Sequence, residues 1–170
     1  MAGLFACPLF RLRASRRDGA RRGVTAVEFA LLAPVFFLML MGITETCLMW
    51  GAQQMLESAA FNTTRLAKTG YTGSGQTQQQ TLSQILGNEL QTYGNLIDTS
   101  KVTMTAAAYN SFSSASNGGG ASGYGTQDQI VVYTITYPWK LFTPIMSNLI
   151  GTNGVVDLTA DIVVRNEPYG

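Results

Sequence analysis

From Phe29 to Ile43 the chain carries no charged or strongly polar side chain. A stretch of that kind buries its surface in lipid or deep in a core, and little else suits it. A helical pattern extends it back to Val24 and forward to about Trp50. That length spans roughly 40 Å at the α-helical rise, enough for a hydrocarbon core of about 30 Å. A secretory h-region is usually shorter and closes on small residues at a cleavage site. Here the run passes through Thr44, Glu45 and Thr46 into Trp50, an aromatic suited to the far membrane interface. Glu45 leaves open whether the span stops near Ile43 or continues to an interfacial glutamate.

Charge is distributed unevenly along the chain. Arg11, Arg13, Arg16, Arg17, Arg21 and Arg22 precede Gly23, against the single acid Asp18. Beyond Gly23 the bases are Arg65, Lys68, Lys101, Lys140 and Arg165, outnumbered by the acids. The positive-inside rule therefore predicts a cytoplasmic N-terminus and a translocated remainder in the periplasmic or extracytoplasmic space. The mildly acidic body offers no basic patch for nucleic acid. The expected organisation is a basic leader over 1–23, a transmembrane helix over 24–50 and an exported α+β domain over 51–170.

Several chemistries find no support. There is no histidine, which removes the commonest general base and metal ligand. Cys7 and Cys47 suggest no disulfide framework. The run ending at Cys7 faintly resembles a lipoprotein acylation site, with too little apolar sequence before it for export. Asp157 and Asp161 share a predicted strand face about 13 Å apart, too far for one ion unaided. No catalytic, cofactor-binding or metal-binding residues are assigned, and an enzyme is not expected. Arg165 and Glu167 read as a surface ion pair or a terminal tie.

Glu28 lies at the head of the apolar run, where an acid is costly. One reading is a capping box, with Thr25 as N-cap and Glu28 at N3, favoured also by the helix dipole. The other requires a cut after Gly23. Val24 then carries a cationic amine that Glu28 of a neighbouring subunit neutralises. In a low dielectric this removes a penalty of several kcal/mol per unpaired charge and sets the register between subunits. Pro34 removes one backbone donor inside the helix, which membrane helices tolerate; a bend that aids subunit packing is the alternative.

Downstream, Met55, Leu56, Ala59, Ala60, Thr63 and Leu66 keep helical spacing, so one helix is predicted over about 25–68. Its first half spans the membrane and its second half packs on a small domain. Lys68, Gly70 and the Gly73–Gly75 cluster end it. A second helix over Thr77–Tyr93 carries Leu82, Ile85, Leu86, Leu90 and Tyr93, with Gly94 and Asn95 at its C-terminal end. The period then becomes two. Strands are predicted around Val102–Ala108, Gln129–Tyr137 and Val156–Arg165, giving a three-stranded antiparallel sheet. Residues 110–127 read as a flexible connection and Pro138 as the end of the middle strand. Trp139–Ile150 reads as a short helix over the sheet edge, or a patch touching a neighbour or the membrane.

GVTAVEF, residues 23–29, has the form glycine, four residues, glutamate, phenylalanine. It resembles the processing motif of type IV prepilins and, more closely, of the tight-adherence (Flp) pilus system. RRGVTAVEFALLAPVFFLMLMGITE resembles the N-terminus of TadE-like proteins, which are pseudopilins or minor pilins. VVYTITYP and the closing VVRNEP resemble their central strand and C-terminal ending. The resemblance implies cleavage by a prepilin peptidase between Gly23 and Val24, and subunit assembly through Glu28 and Phe29. It implies partners among other pilins or pseudopilins, the membrane lipid of the inner membrane, and no cofactor. The implied function is a minor pilin or a priming component of the fibre. An uncleaved single-pass scaffold of the same machinery is the alternative, and a membrane-anchored ligand-binding module a further one.

Overall fold

The computed structural model describes residues 17–150 and 153–168; for 17–23, Ile145 and Leu149 the description covers the backbone. The expectations for Arg11, Arg13, Arg16 and Cys7 lie outside the described residues. The class is α+β, with two compact units, Met1–Leu40 and Met41–Gly170.

Helix α1 runs Arg17–Ala67. It begins upstream of the expected start, so Thr25 and Glu28 occupy interior helical positions and Thr25 is no N-cap in this chain. The helix stops where foreseen: the Lys68 N–H donates to Thr64 O, and Gly70 takes a φ of 68° that ends the helical path. Helix α2, Gln78–Thr92, opens on a capping box in which Thr77 and Gln80 satisfy each other's backbone N–H. Gly94, at φ 96°, follows its last turn.

The sheet of the second unit has four antiparallel strands in the order β2-β1-β3-β4. These are β1 Thr103–Tyr109, β2 Ala121–Ser122, β3 Ile130–Lys140 and β4 Val155–Arg165. The three expected strands are present, and the two-residue β2 adds a fourth. It pairs Ala107 with Ser122 and Ala108 with Ala121. The connection over 110–127 is therefore more ordered than its Ser, Gly and Asn content implies. It also holds a short helix, α3, Phe112–Asn117, whose first turn is closed by a Ser111–Ser114 capping box. Serine here acts as a local cap, which composition alone does not reveal.

Pro138 does not end β3; it pairs with Asp157, and the strand continues through Trp139 and Lys140. The register explains the tolerance. The β1–β3 ladder ends at Thr103 and Thr136. The Leu141 N–H donates to Gly154 O, so odd-numbered positions of β3 bond toward β4. Pro138, at an even position, turns its nitrogen to the side that β1 has vacated, where no ladder bond is lost. After β3 the chain forms the short helix α4, Pro144–Leu149.

One sheet face is covered by α1 and α2. Val131, Tyr133, Ile135, Tyr137 and Trp139 of β3 are buried there, with Leu158 and Ala160 of β4. Opposite them α1 presents Ala52, Leu56, Ala59, Ala60, Thr63, Thr64 and Ala67, all buried. Small helix residues facing large strand side chains let the helix sit close to the sheet without voids. α2 adds Leu82, Leu86 and Leu90, three of the five positions in its expected stripe, while Tyr93 is exposed. The other sheet face carries Thr103, Thr105, Thr134, Thr136, Thr159 and Asp161, with Thr134 Oγ1 donating to Asp161 at 2.6 Å. At the outer edge of β4, Gln53 Nε2 donates to Thr159 O at 3.0 Å and so satisfies an edge carbonyl.

The C-terminal residues Arg165, Asn166 and Glu167 bind three different places. Arg165 pairs with Asp128 at 3.3 Å and Glu167 with Lys68 at 2.9 Å, so Arg165 and Glu167 do not pair with each other. Asn166 Nδ2 donates to the carbonyls of Tyr124 and Thr126, both at 3.0 Å. The Glu167 N–H donates to Lys68 O, tying the tail to the end of α1. The terminal tie is present; the expected partner is not.

Candidate functional site

The segment that sequence singles out lies on α1. Its most apolar stretch is exposed throughout within the chain, and the helix is long and apolar enough to cross a membrane. Val24 is 59% exposed, Phe29 66% and Leu31 72%. Apolar side chains point outward on every side of the helix, a pattern consistent with a helix that spans a membrane. Polar groups at its far end are accommodated locally: Thr46 Oγ1 donates back to Gly42 O at 2.9 Å.

Gly23 and Val24 both lie within α1, so the bond between them is part of the helical backbone. Glu28 is exposed. It stands four residues after Val24, which places the two on one helix face. Phe29 projects from an adjacent face. Pro34 is accommodated inside α1. These positions form a linear epitope along one helix rather than a pocket.

Sequence reasoning treated Glu45 as a marker of helix depth and missed its contacts. Glu45 is 0% exposed. Its Oε1 accepts the Phe142 N–H at 2.6 Å and its Oε2 accepts the Thr143 N–H at 3.2 Å. The carboxylate thus satisfies backbone donors at the start of α4, which lacks a side-chain cap of its own. The available signal was an acid that interrupts an otherwise apolar helical stripe, since a buried charge requires partners. Beside it, Met146 Sδ lies 3.9 Å from where a Cβ on Gly42 would stand, an ordinary van der Waals distance that places α4 next to α1 at this level.

Elsewhere the surface offers little convergent chemistry. A shallow groove of about 500 Å³ is lined by Gln91, Asn95, Ile97, Asp98 and Thr99. Its one carboxylate is already engaged. The Ser100 hydroxyl, the Lys101 ammonium and the Ser100 N–H hold the Asp98 carboxyl down at about 2, and Asp98 in turn raises the Lys101 ammonium above its ordinary value. Burial raises the Tyr124 phenol. Among the described residues no group of three His, Cys, Asp or Glu side chains is placed to hold a metal ion. Cys47 is a free, exposed thiol.

No curated protein and no solved structure matches the chain. Gly23, Val24, Glu28, Phe29 and the whole apolar run lie inside an interval, residues 23–65, that matches the family model described as TadE-like protein, so over that interval the chain is similar to that family.

Proposed function

We propose that the protein is a membrane-anchored component of a tight-adherence pilus system, made with a basic leader and assembled through α1. The observation that carries this reading is the apolar, outward-facing helix inside the TadE-like interval. In this reading the N-terminus is cytoplasmic, the span lies in the inner membrane, and the Met41–Gly170 unit stands on the far side. A prepilin peptidase cuts between Gly23 and Val24. The freed Val24 amine then meets Glu28 of an adjoining pilin subunit, and Phe29 packs in the same contact. Work is done by assembly and not by catalysis.

A second reading follows from one observation: the Gly23–Val24 peptide sits inside a helix. A helical peptide does not fit an extended protease cleft until a turn unwinds, and glycine lowers that barrier. If the turn stays wound, the chain is an uncut scaffold of the same machinery. Expression with and without a prepilin peptidase, followed by N-terminal sequencing of the membrane form, separates the two. A chain starting at Val24 supports the processed pilin; one that retains the leader despite active peptidase supports the scaffold.

A further inference from the structure

We infer that the segment Phe142–Ile150 is a membrane-docking element, seated in the headgroup boundary of the bilayer and held at that depth by Glu45. The inference rests on the reading of α1 as a membrane anchor. The apolar run ends, in sequence, at Ile43, and Val24–Ile43 covers about 30 Å at helical rise, the thickness of a hydrocarbon core. Glu45 therefore falls at the outer interface. The buried bonds from Phe142 and Thr143 to Glu45 bring the start of α4 to that level.

The segment has the chemistry of an interfacial element. No charged residue occurs from Leu141 to Val156. Phe142 is 56% exposed and Ile150 40%, one on either side of the short helix α4, so apolar surface is presented at both of its ends. Lys140, exposed just before it, places a cation where anionic headgroups lie. Trp50, 70% exposed, stands about 7.5 Å further along α1 than Glu45 and adds an interfacial aromatic on another side of the helix. The occupant is thus the lipid surface through which the chain's own helix passes. Delivery by the tether makes even a small apolar contact effective, because the second contact is intramolecular.

The test uses the full chain, with Cys7→Ala and Cys47→Ala, in phosphatidylethanolamine–phosphatidylglycerol vesicles at low protein content. Single cysteines replace Phe142, Ile150, Leu38 or Ser122 and carry a nitroxide, whose exposure to oxygen and to a water-soluble nickel complex is measured. Docking gives oxygen-to-nickel ratios at Phe142 and Ile150 several-fold above that at Ser122. Ratios equal to Ser122, with Leu38 lipid-immersed, overturn the inference and leave the anchor standing. An aqueous Leu38 overturns both. Labels shielded from both reagents indicate a protein neighbour and overturn the lipid assignment. Glu45→Ala is expected to lower the ratio at Phe142 several-fold; an unchanged value overturns the role given to Glu45.

Discussion

The Glu45 carboxylate and the Thr143 backbone N–H are 98 residues apart in the chain and 3.2 Å apart in space. With the Phe142 N–H on its other oxygen, Glu45 ties α1 to the turn that follows β3. A carboxylate in this position is sustained by the donors it accepts, because charge-assisted hydrogen bonds offset part of its desolvation.

Removing that carboxylate leaves two backbone donors without their acceptor. Glu45→Ala is expected to destabilise the second unit by about 3 kcal/mol, within the range for hydrogen bonds to charged groups and the orphaned partners they leave. Glu45→Gln keeps one acceptor oxygen and the shape, and should cost about half as much. Urea unfolding of the detergent-solubilised chain, followed by near-ultraviolet circular dichroism, gives both values. A loss for Glu45→Ala no larger than that of an exposed Gln54→Ala control would show the contact to be energetically idle.

The C-terminal tie is expected to draw its stability from Asn166 more than from its ion pairs. Lys68 and Glu167 are each about half exposed, and pairs of that kind contribute about 0–1 kcal/mol. Asn166 is buried and donates to two carbonyls at 3.0 Å. Asn166→Ala should therefore cost about 2 kcal/mol, for two orphaned acceptors and a small void, while Lys68→Ala costs less than about 1 kcal/mol. Thermal unfolding of the two variants side by side ranks them, and raised salt should weaken the Lys68 contribution alone.

Asp98 and Lys101 make a pH-dependent contact with opposite signs at its two ends. The folded Asp98 value of about 2 lies below its ordinary 3.8. Its contribution to stability is complete above the ordinary value and is lost as pH falls through the folded one. Lys101 is raised, so its contribution is complete below the ordinary lysine value of 10.5 and is lost as pH rises through the folded one. Both groups are solvent-exposed, which keeps the effect small. Carbon-13 NMR titration of the Asp98 carboxyl is expected to give a midpoint near 2, and Lys101→Ala should move it toward 3.8. A midpoint already near 3.8 in the unaltered chain would contradict the contact.

How far the sequence revealed these features depended on how local their causes were. The start of α2 near Thr77, the buried stripe of Leu82, Leu86 and Leu90, and the alternation in β4 depend on neighbours within a turn or a strand, and all were legible; the capping box of Thr77 and Gln80 is equally local but was not read from the sequence. Pro138 was misjudged because its tolerance depends on where another strand, β1, stops. The short β2 and α3 were missed because Ser and Gly content registers flexibility and not the particular cap at Ser111. Arg165 and Glu167 looked like partners because they are near in sequence, whereas Asp128 and Lys68 are brought to them by the fold. Glu45 carried a legible warning, a charge in an apolar stripe, but its donors lie too far along the chain for spacing to name them. The Gly23–Phe29 motif stood out on residue types alone, since its proposed partners belong to other molecules.

Glu28 offers the sharpest test of assembly. As an interior helical residue it has no capping duty in the uncut chain, because α1 begins at Arg17. Glu28→Gln is therefore expected to leave helix content and membrane insertion unchanged, the neutral amide being easier to place in lipid than the acid. If the Val24 amine of an adjoining subunit requires the carboxylate, the same variant should be cut normally yet lose most of its incorporation into fibres. Glu28→Asp, which keeps the charge on a shorter side chain, should recover part of that loss. Gly23→Val supplies the complementary case, with the leader retained, Glu28 intact and incorporation again lost. Immunoblots of sheared fibres and of the membrane fraction read all three variants against the unaltered chain. Normal incorporation of Glu28→Gln would rule out the charge pairing, and normal incorporation of an uncut Gly23→Val chain would rule out processing as a condition of assembly.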